Sequence, residues 1–335
     1  MNTFVVFIGF KGGLDMLSFF PTPYPDELFY SVVARYHYWS RNKSLFQTNE
    51  DLYDFRTIVP QAAFPTGLGI LKSKISQNQS FELDSLIYKH SFFPLIELFI
   101  NNGKSDMILD VMKGDDPKKS VEVQLGICRF QLINRHIMYC PICYADDVHR
   151  YGEGYLHRIH QLNGIKVCPI HEHALISSGF DYSYGKKKYA VFDVGSIKIP
   201  QTIRPVPISK WDLQISKMTA ALFSRRWHIR LEDLKKFYIR KIEAMSLFNS
   251  GFVRRKKFNE QFIDFFGQEY LSTITSELGI NFIADLEKLI NDSTTKIPNV
   301  HPILHVLIMI FLEVDLKYLE QKVVLSDQEY ELFIT

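Results

Sequence analysis

The chain has 335 residues, 46% hydrophobic and 23% charged, with a formal net charge of +2. That size exceeds one typical domain, and no apolar run approaches the roughly 20 residues of a helical membrane span. Four cysteines are too few for a disulfide scaffold; clustered as they are, without a secretory signal, they point to a reducing, cytoplasmic setting and to metal.

Residues 1–15 carry the apolar stretch "FVVFIGF" but neither the basic lead nor the cleavage site of a signal peptide. They are expected to be a disordered extension, with Met16 as an alternative start. "FFPTPYPDELFYSVVARYHYWS", residues 19–40, reads as an amphipathic helix. Pro25 suits its first position, and Asp26 and Glu27 its first turn, where the helix dipole favours negative charge. Leu28, Phe29, Val32, Val33 and Tyr36 supply the apolar face. A joint at "AAFPTGLGILKSKI" leads to a short helix in "SFELDSLIYKHSFFPLIELF", broken at Pro94; residues 101–120 read as a polar loop. These pieces make an N-terminal helical domain over 16–120.

A second unit, 121–200, holds all four cysteines, three of them between residues 139 and 173. The spacing is C-x2-C, twenty-four residues, then C-x2-H, through Cys140, Cys143, Cys168 and His171. Zinc takes four sulfur or nitrogen ligands in a tetrahedron, and paired knuckles supply them, so the pattern defines a closed Cys3His site for one structural zinc ion. His173 is an alternative fourth ligand, and Cys128 falls outside the pattern as a core residue. "EGYLHRIHQL", Asn163-Gly164 and "IKV" read as a β-hairpin joining the knuckles, on which His157 and His160 are expendable for metal. Asp146, Asp147 and Glu153 read as solvated loop residues rather than a nuclease cluster. "YGKKKYAVFDVGSIKIP" alternates as one or two strands.

The remainder, 201–335, is a C-terminal helical domain with segments at 211–224, 231–248, 257–266, 270–278, 282–290 and 302–318. Charge divides sharply here: 181–260 has 18 basic and 7 acidic residues, 261–335 has 4 and 12. Cations at Lys186, Lys187, Lys188, Arg225, Arg226, Arg230, Arg254, Arg255, Lys256 and Lys257 are candidates for phosphate contact. Trp227, Phe237, Tyr238 and Phe258 among them fall at helical spacing and are assigned to packing. Residues 269–290 have helix-turn-helix punctuation around Gly279, but Asp285 and Glu287 make the second helix a poor reader of a groove, and a packing module is the preferred reading. No P-loop, Rossmann glycine pattern, G-x-S-x-G or H-E-x-x-H is present, so no enzyme class is indicated. The fold expected is mainly α and multi-domain, with a small zinc-bound β-hairpin module and helix-turn-helix-like segments.

"FFPTPYPDELFYSVVARY", the "YCPIC…YGEGYLHRIHQLNGIKVCPIH" block and "HPILHVLIMIFL" together resemble the TniQ/TnsD family of transposon target-site selectors. The resemblance implies a non-enzymatic adaptor. It would couple target DNA, read directly or through a CRISPR effector complex, to a TnsC-like AAA+ ATPase and thence to the transposase. It also allows a homodimer, implies a bacterial, nucleoid-associated location, and carries the family's ligand positions onto Cys140, Cys143, Cys168 and His171. The chain stops soon after "HPILH", which points to the short TniQ type. A stand-alone zinc-containing DNA-binding regulator is the alternative.

Overall fold

The computed structural model describes residues 16–58, 61–76, 82–128, 130–181, 208–224, 226–227, 229, 231–249, 252–290 and 300–317. The first helix, α1 (Phe29–Trp39), starts four residues after Pro25 rather than at it. Asp26 has a left-handed φ of 54°, and Glu27 pairs with His157 in an antiparallel bridge. The Leu28 N–H reaches the Leu156 carbonyl at 2.8 Å and the Arg158 N–H the Asp26 carbonyl at 2.7 Å. These cross-chain bonds hold 26–28 extended and delay the helix, so both carboxylates leave the first turn and enter ion pairs.

α2 (Leu45–Tyr53) is capped by Ser44, and α3 (Leu68–Lys74) follows the turn at Gly67. α4 (Leu83–His90) and α5 (Phe93–Glu97) are split at Ser91 and Phe92; Pro94 opens α5 instead of breaking a helix. The stretch expected to be a loop contains α6 (Asn102–Lys113). Asn101 caps it by accepting the Lys104 N–H at 2.9 Å, and Ile108 and Met112, one turn apart, are fully buried. α7 (Val121–Leu125) begins where the second unit was expected.

β1 (His136–Tyr139) runs into α8 (Pro141–Tyr151), then α9 (Arg158–Gln161) and β2 (Ile176–Asp181). β1 and β2 pair antiparallel, with Tyr139 opposite Ile176. The two-stranded sheet therefore brackets residues 140–175 from outside; between the knuckles the chain runs through α8 and the short α9 where a hairpin was expected. The Asn163-Gly164 turn does exist, with Gly164 at φ 94°, but a Cβ there would lie 3.1 Å from both Ile303 and Leu278. It is used for close packing against two helices. The strands read in 184–200 lie outside the described residues.

The C-terminal helices fall close to expectation: α10 (Lys210–Phe223), α11 (Leu231–Ala244), α12 (Arg255–Phe266), α13 (Gln268–Leu278), α14 (Phe282–Ile290) and α15 (Pro302–Phe311), with a short hairpin of β3 (Phe248–Asn249) and β4 (Phe252–Val253) before α12. α15 is buried on every side and packs against α10. Buried apolar side chains from Phe20 to Val314 form one connected cluster. Trp227, Tyr238 and Phe258 are buried in it and Phe237 packs against it, as their spacing implied. Cys128 is exposed, not core. Among the described residues no helix is long and apolar enough to cross a membrane.

Candidate metal centre

Cys140 follows β1 directly and serves as the N-cap residue of α8, with Pro141 as the first helical residue. Cys143 then sits in the first turn and faces back toward Cys140. The second knuckle is a tight turn: the His171 N–H points at the Cys168 sulfur at 3.4 Å, and the Glu172 N–H closes on the Cys168 carbonyl at 2.9 Å. From α10, Ser216 bonds the Val167 carbonyl and Lys217 pairs with Glu172.

The knuckles meet. His171 Nδ1 lies 3.7 Å from Cys140 Sγ, 3.2 Å from Cys143 Sγ and 3.8 Å from Cys168 Sγ, and Cys143 and Cys168 are 3.6 Å apart. Metal bonds of about 2.3 Å to sulfur and 2.0–2.1 Å to nitrogen in a tetrahedron place sulfurs about 3.8 Å apart and sulfur and nitrogen about 3.6 Å apart. All four ligand atoms lie within 4.8 Å of one another. The cysteines are buried and His171 is half-buried. Crowding also disturbs the thiols: hydrogen bonds from Cys140 and Cys143 push Cys168 down, while the same closeness to Cys140 and Cys168 pushes Cys143 up. Three thiolates so close need a cation between them, and the group could hold a metal ion.

The fourth residue gathered with the three sulfurs is His171 and not His173, whose Nδ1 is 2.8 Å from the Ala174 carbonyl. Asp146 Oδ2 stands 3.3 Å from His171 Nε2, which favours the tautomer that leaves Nδ1 free toward a metal. Asp147 and Glu153 are thus enclosed structural partners rather than solvated loop residues, whereas Asp146, on α8, stays exposed to solvent. Asp147 is buried and meets His157 Nε2 at 2.8 Å, and Glu153 accepts from Arg35 at 2.8 Å and from the Tyr24 hydroxyl at 2.9 Å.

Two buried arginines tie this region to its neighbours. Arg35 bridges Glu27, at 2.8 Å, and Glu153. Burial pulls the Glu27 carboxyl up to about 7 while Arg35 pulls it back; its oxygens accept from Arg35, the Tyr24 N–H and the Ser31 hydroxyl. Arg158 bonds Asp26 at 2.9 Å and the carbonyls of Tyr88, Ser91 and Phe223 at 2.8, 3.0 and 3.3 Å. Sequence reading missed both, because their partners are remote in sequence: Arg158 and Asp26 are 132 residues apart.

Of the basic candidates, Lys186, Lys187, Lys188, Arg225 and Arg230 lie outside the described residues. Arg226 stacks over Tyr88 at 4.8 Å and pairs with Glu97 at 3.5 Å. Arg254, Arg255, Lys256 and Lys257 are all exposed at the start of α12, the end where a helix dipole disfavours cations. α13 and α14 are the two helices of that punctuation, with Gly279 at φ 62° capping α13 and Asn281 accepting the Ala284 N–H at 3.3 Å. Asp285 turns inward and is 2% exposed, so it does not burden the outer face as sequence reading supposed.

A mainly helical chain with a Cys3His group that could hold a metal is the class that fold and site define. Residues 18–175 match the TniQ family and residues 215–333 match Tn7-like transposition protein D, together more than four-fifths of the chain. The transposon Tn7 transposition protein TnsD of Escherichia coli is 27% identical over 267 residues, covering 78% of this chain and 52% of that protein. The chain thus spans about half the length of that relative, and it belongs to the TniQ/TnsD family.

Proposed function

We propose that the chain is a non-enzymatic target-site selector for transposition, engaging target DNA and recruiting a TnsC-like AAA+ ATPase and through it the transposase. The observation that carries this is the run of two transposition-family segments through a single chain, 18–175 and 215–333. The metal group, read as one structural zinc ion on Cys140, Cys143, Cys168 and His171, welds α8 to the turn after α9. Four protein ligands leave no open position for chemistry. The four cations at the start of α12 sit where the dipole opposes them, and contact with DNA phosphates accounts for that placement.

The segment matching protein D favours direct reading of DNA over reading through a CRISPR effector complex. Selection from a random duplex library tests it, with the transposon's own ATPase added in a second arm. Recovery of a preferred sequence and its co-capture with the ATPase are expected. Sequence preference without any ATPase capture would favour a stand-alone DNA-binding regulator. Capture that requires a guide-RNA complex would shift the reading to the effector-coupled form, and no capture under any condition would reject the adaptor role.

A further inference from the structure

The solvent side of α11 is basic at its middle. Leu231, Leu234, Tyr238 and Ile242 bury one face, and Lys236 and Arg240, one turn apart, are exposed on the opposite one. The acidic residues stand at the ends, Glu232 and Asp233 in the first turn and Glu243 in the last. Lys236 is 64% exposed and meets Asp233 only at 3.7 Å. Arg240 has no ion-pair partner among the described residues.

The backbone brings the start of α12 to the end of this strip. The Leu247 N–H bonds the Ile242 carbonyl at 3.2 Å, and the Arg254 N–H bonds the Leu247 carbonyl at 2.7 Å, with the β3–β4 hairpin closed between them. The exposed Arg254, Arg255, Lys256 and Lys257 therefore stand beside the last turn of α11. Residues 231–257 carry eight basic and three acidic residues, whereas 267–290, which hold α13 and α14, carry one and four. α13 has no cation and exposes Glu269 and Glu277; Lys166 approaches it but is paired with Glu277 at 2.9 Å. A DNA duplex bears one negative charge per about 1.7 Å of its axis. The first surface attracts it and the second repels it.

We propose that duplex DNA lies across the outer face of α11 and the start of α12, with Lys236, Arg240 and the cations at 254–257 on its phosphates, rather than against the α13–α14 turn. The inference rests on the direct reading of DNA proposed above. It assigns the contact to a helix without helix-turn-helix punctuation, and it leaves α13 and α14 to packing.

The test measures binding of the full chain to a mixed-sequence DNA duplex over a range of salt, by fluorescence anisotropy. Lys236→Gln with Arg240→Gln, and Arg254→Gln with Lys257→Gln, each remove a pair of cations. The slope of log affinity against log salt should become shallower by about 2 for either pair. Ser272→Asp with Ser276→Asp adds negative charge to the exposed side of α13 and should leave affinity and slope unchanged. All of these positions are exposed, and a urea midpoint equal to that of the wild type verifies the fold of each variant. A wild-type slope in either cation pair, or a loss of affinity confined to the α13 pair, overturns the inference and leaves direct DNA reading intact. A wild type that binds no duplex rejects that reading itself, and this surface with it. Cation variants that keep the wild-type slope but no longer capture the ATPase would put a protein on this surface and overturn the assignment to DNA.

Discussion

Replacing Arg158 by methionine should destabilise the chain far more than neutralising the acid it pairs with. The Arg158 side chain is 5% exposed, and Asp26 is 33% exposed. One guanidinium donates to Asp26 and to three carbonyls from two other parts of the chain, the end of α4 with the residue after it and the end of α10. Methionine fills much of the same space but leaves these acceptors unpaired. Hydrogen bonds to charged groups contribute about 1.5–3 kcal/mol each, and breaking a buried pair costs about 3–5 kcal/mol. The acceptors share one cation, so about 4 kcal/mol is expected for Arg158→Met rather than the sum. Asp26→Asn leaves the guanidinium its three carbonyls and loses a pair already open to water, for about 1 kcal/mol. Arg158→Lys keeps the charge but cannot fork to several acceptors, and should fall between. Equilibrium urea denaturation of the metal-saturated chain measures all three. An Asp26→Asn cost equal to that of Arg158→Met, or an Arg158→Met cost below about 1 kcal/mol, would refute the argument that the carbonyls rather than the ion pair dominate.

Cys143→Ser should lose bound metal and solubility together, because structural zinc contributes about 10–16 kcal/mol of binding free energy in small finger peptides; elemental analysis should give one zinc per wild-type chain and none per variant, with His173→Ala unchanged. Burial lowers His301 and His305 to about 3. Between that value and the unfolded value near 6.5 the unfolded chain binds more protons, so stability falls as pH drops through this window, by about 2 kcal/mol per histidine from pH 7 to 5. His305→Phe should remove its share, and an unaltered pH slope in urea titrations would count against it. Gly164→Ala should cost about 1–3 kcal/mol through its left-handed φ and the 3.1 Å approaches to Ile303 and Leu278; thermal unfolding reads this directly, and a neutral result would mean that α13 and α15 yield.

The clustering of Cys140, Cys143, Cys168 and His171 was legible from spacing alone, because C-x2-C and C-x2-H are local geometries that any backbone turn of that length can satisfy. The C-terminal helices were legible for a similar reason: their apolar period repeats over several turns within one segment, and α14 begins and ends where the period does. α6 was missed although its cap and its buried Ile108 and Met112 were in the sequence; the "KGDDPKK" run that follows outweighed them.

Tertiary structure decided what depends on a remote partner. The segment between the knuckles has hairpin chemistry at Asn163-Gly164, yet Gln161 spends its side-chain amide on β1, accepting from the Met138 N–H at 3.2 Å and donating to its carbonyl at 2.7 Å. That satisfies the strand from the side and leaves β2 to pair from beyond the metal site. The first helix begins late because residues 156–158 capture the backbone before it, and the same capture brings Arg158 to Asp26. Period and spacing along the chain determine which residues can form a helix or a knuckle. Which carboxylate meets which arginine is set only when segments more than a hundred residues apart exclude water from each other and every buried polar group must find a partner.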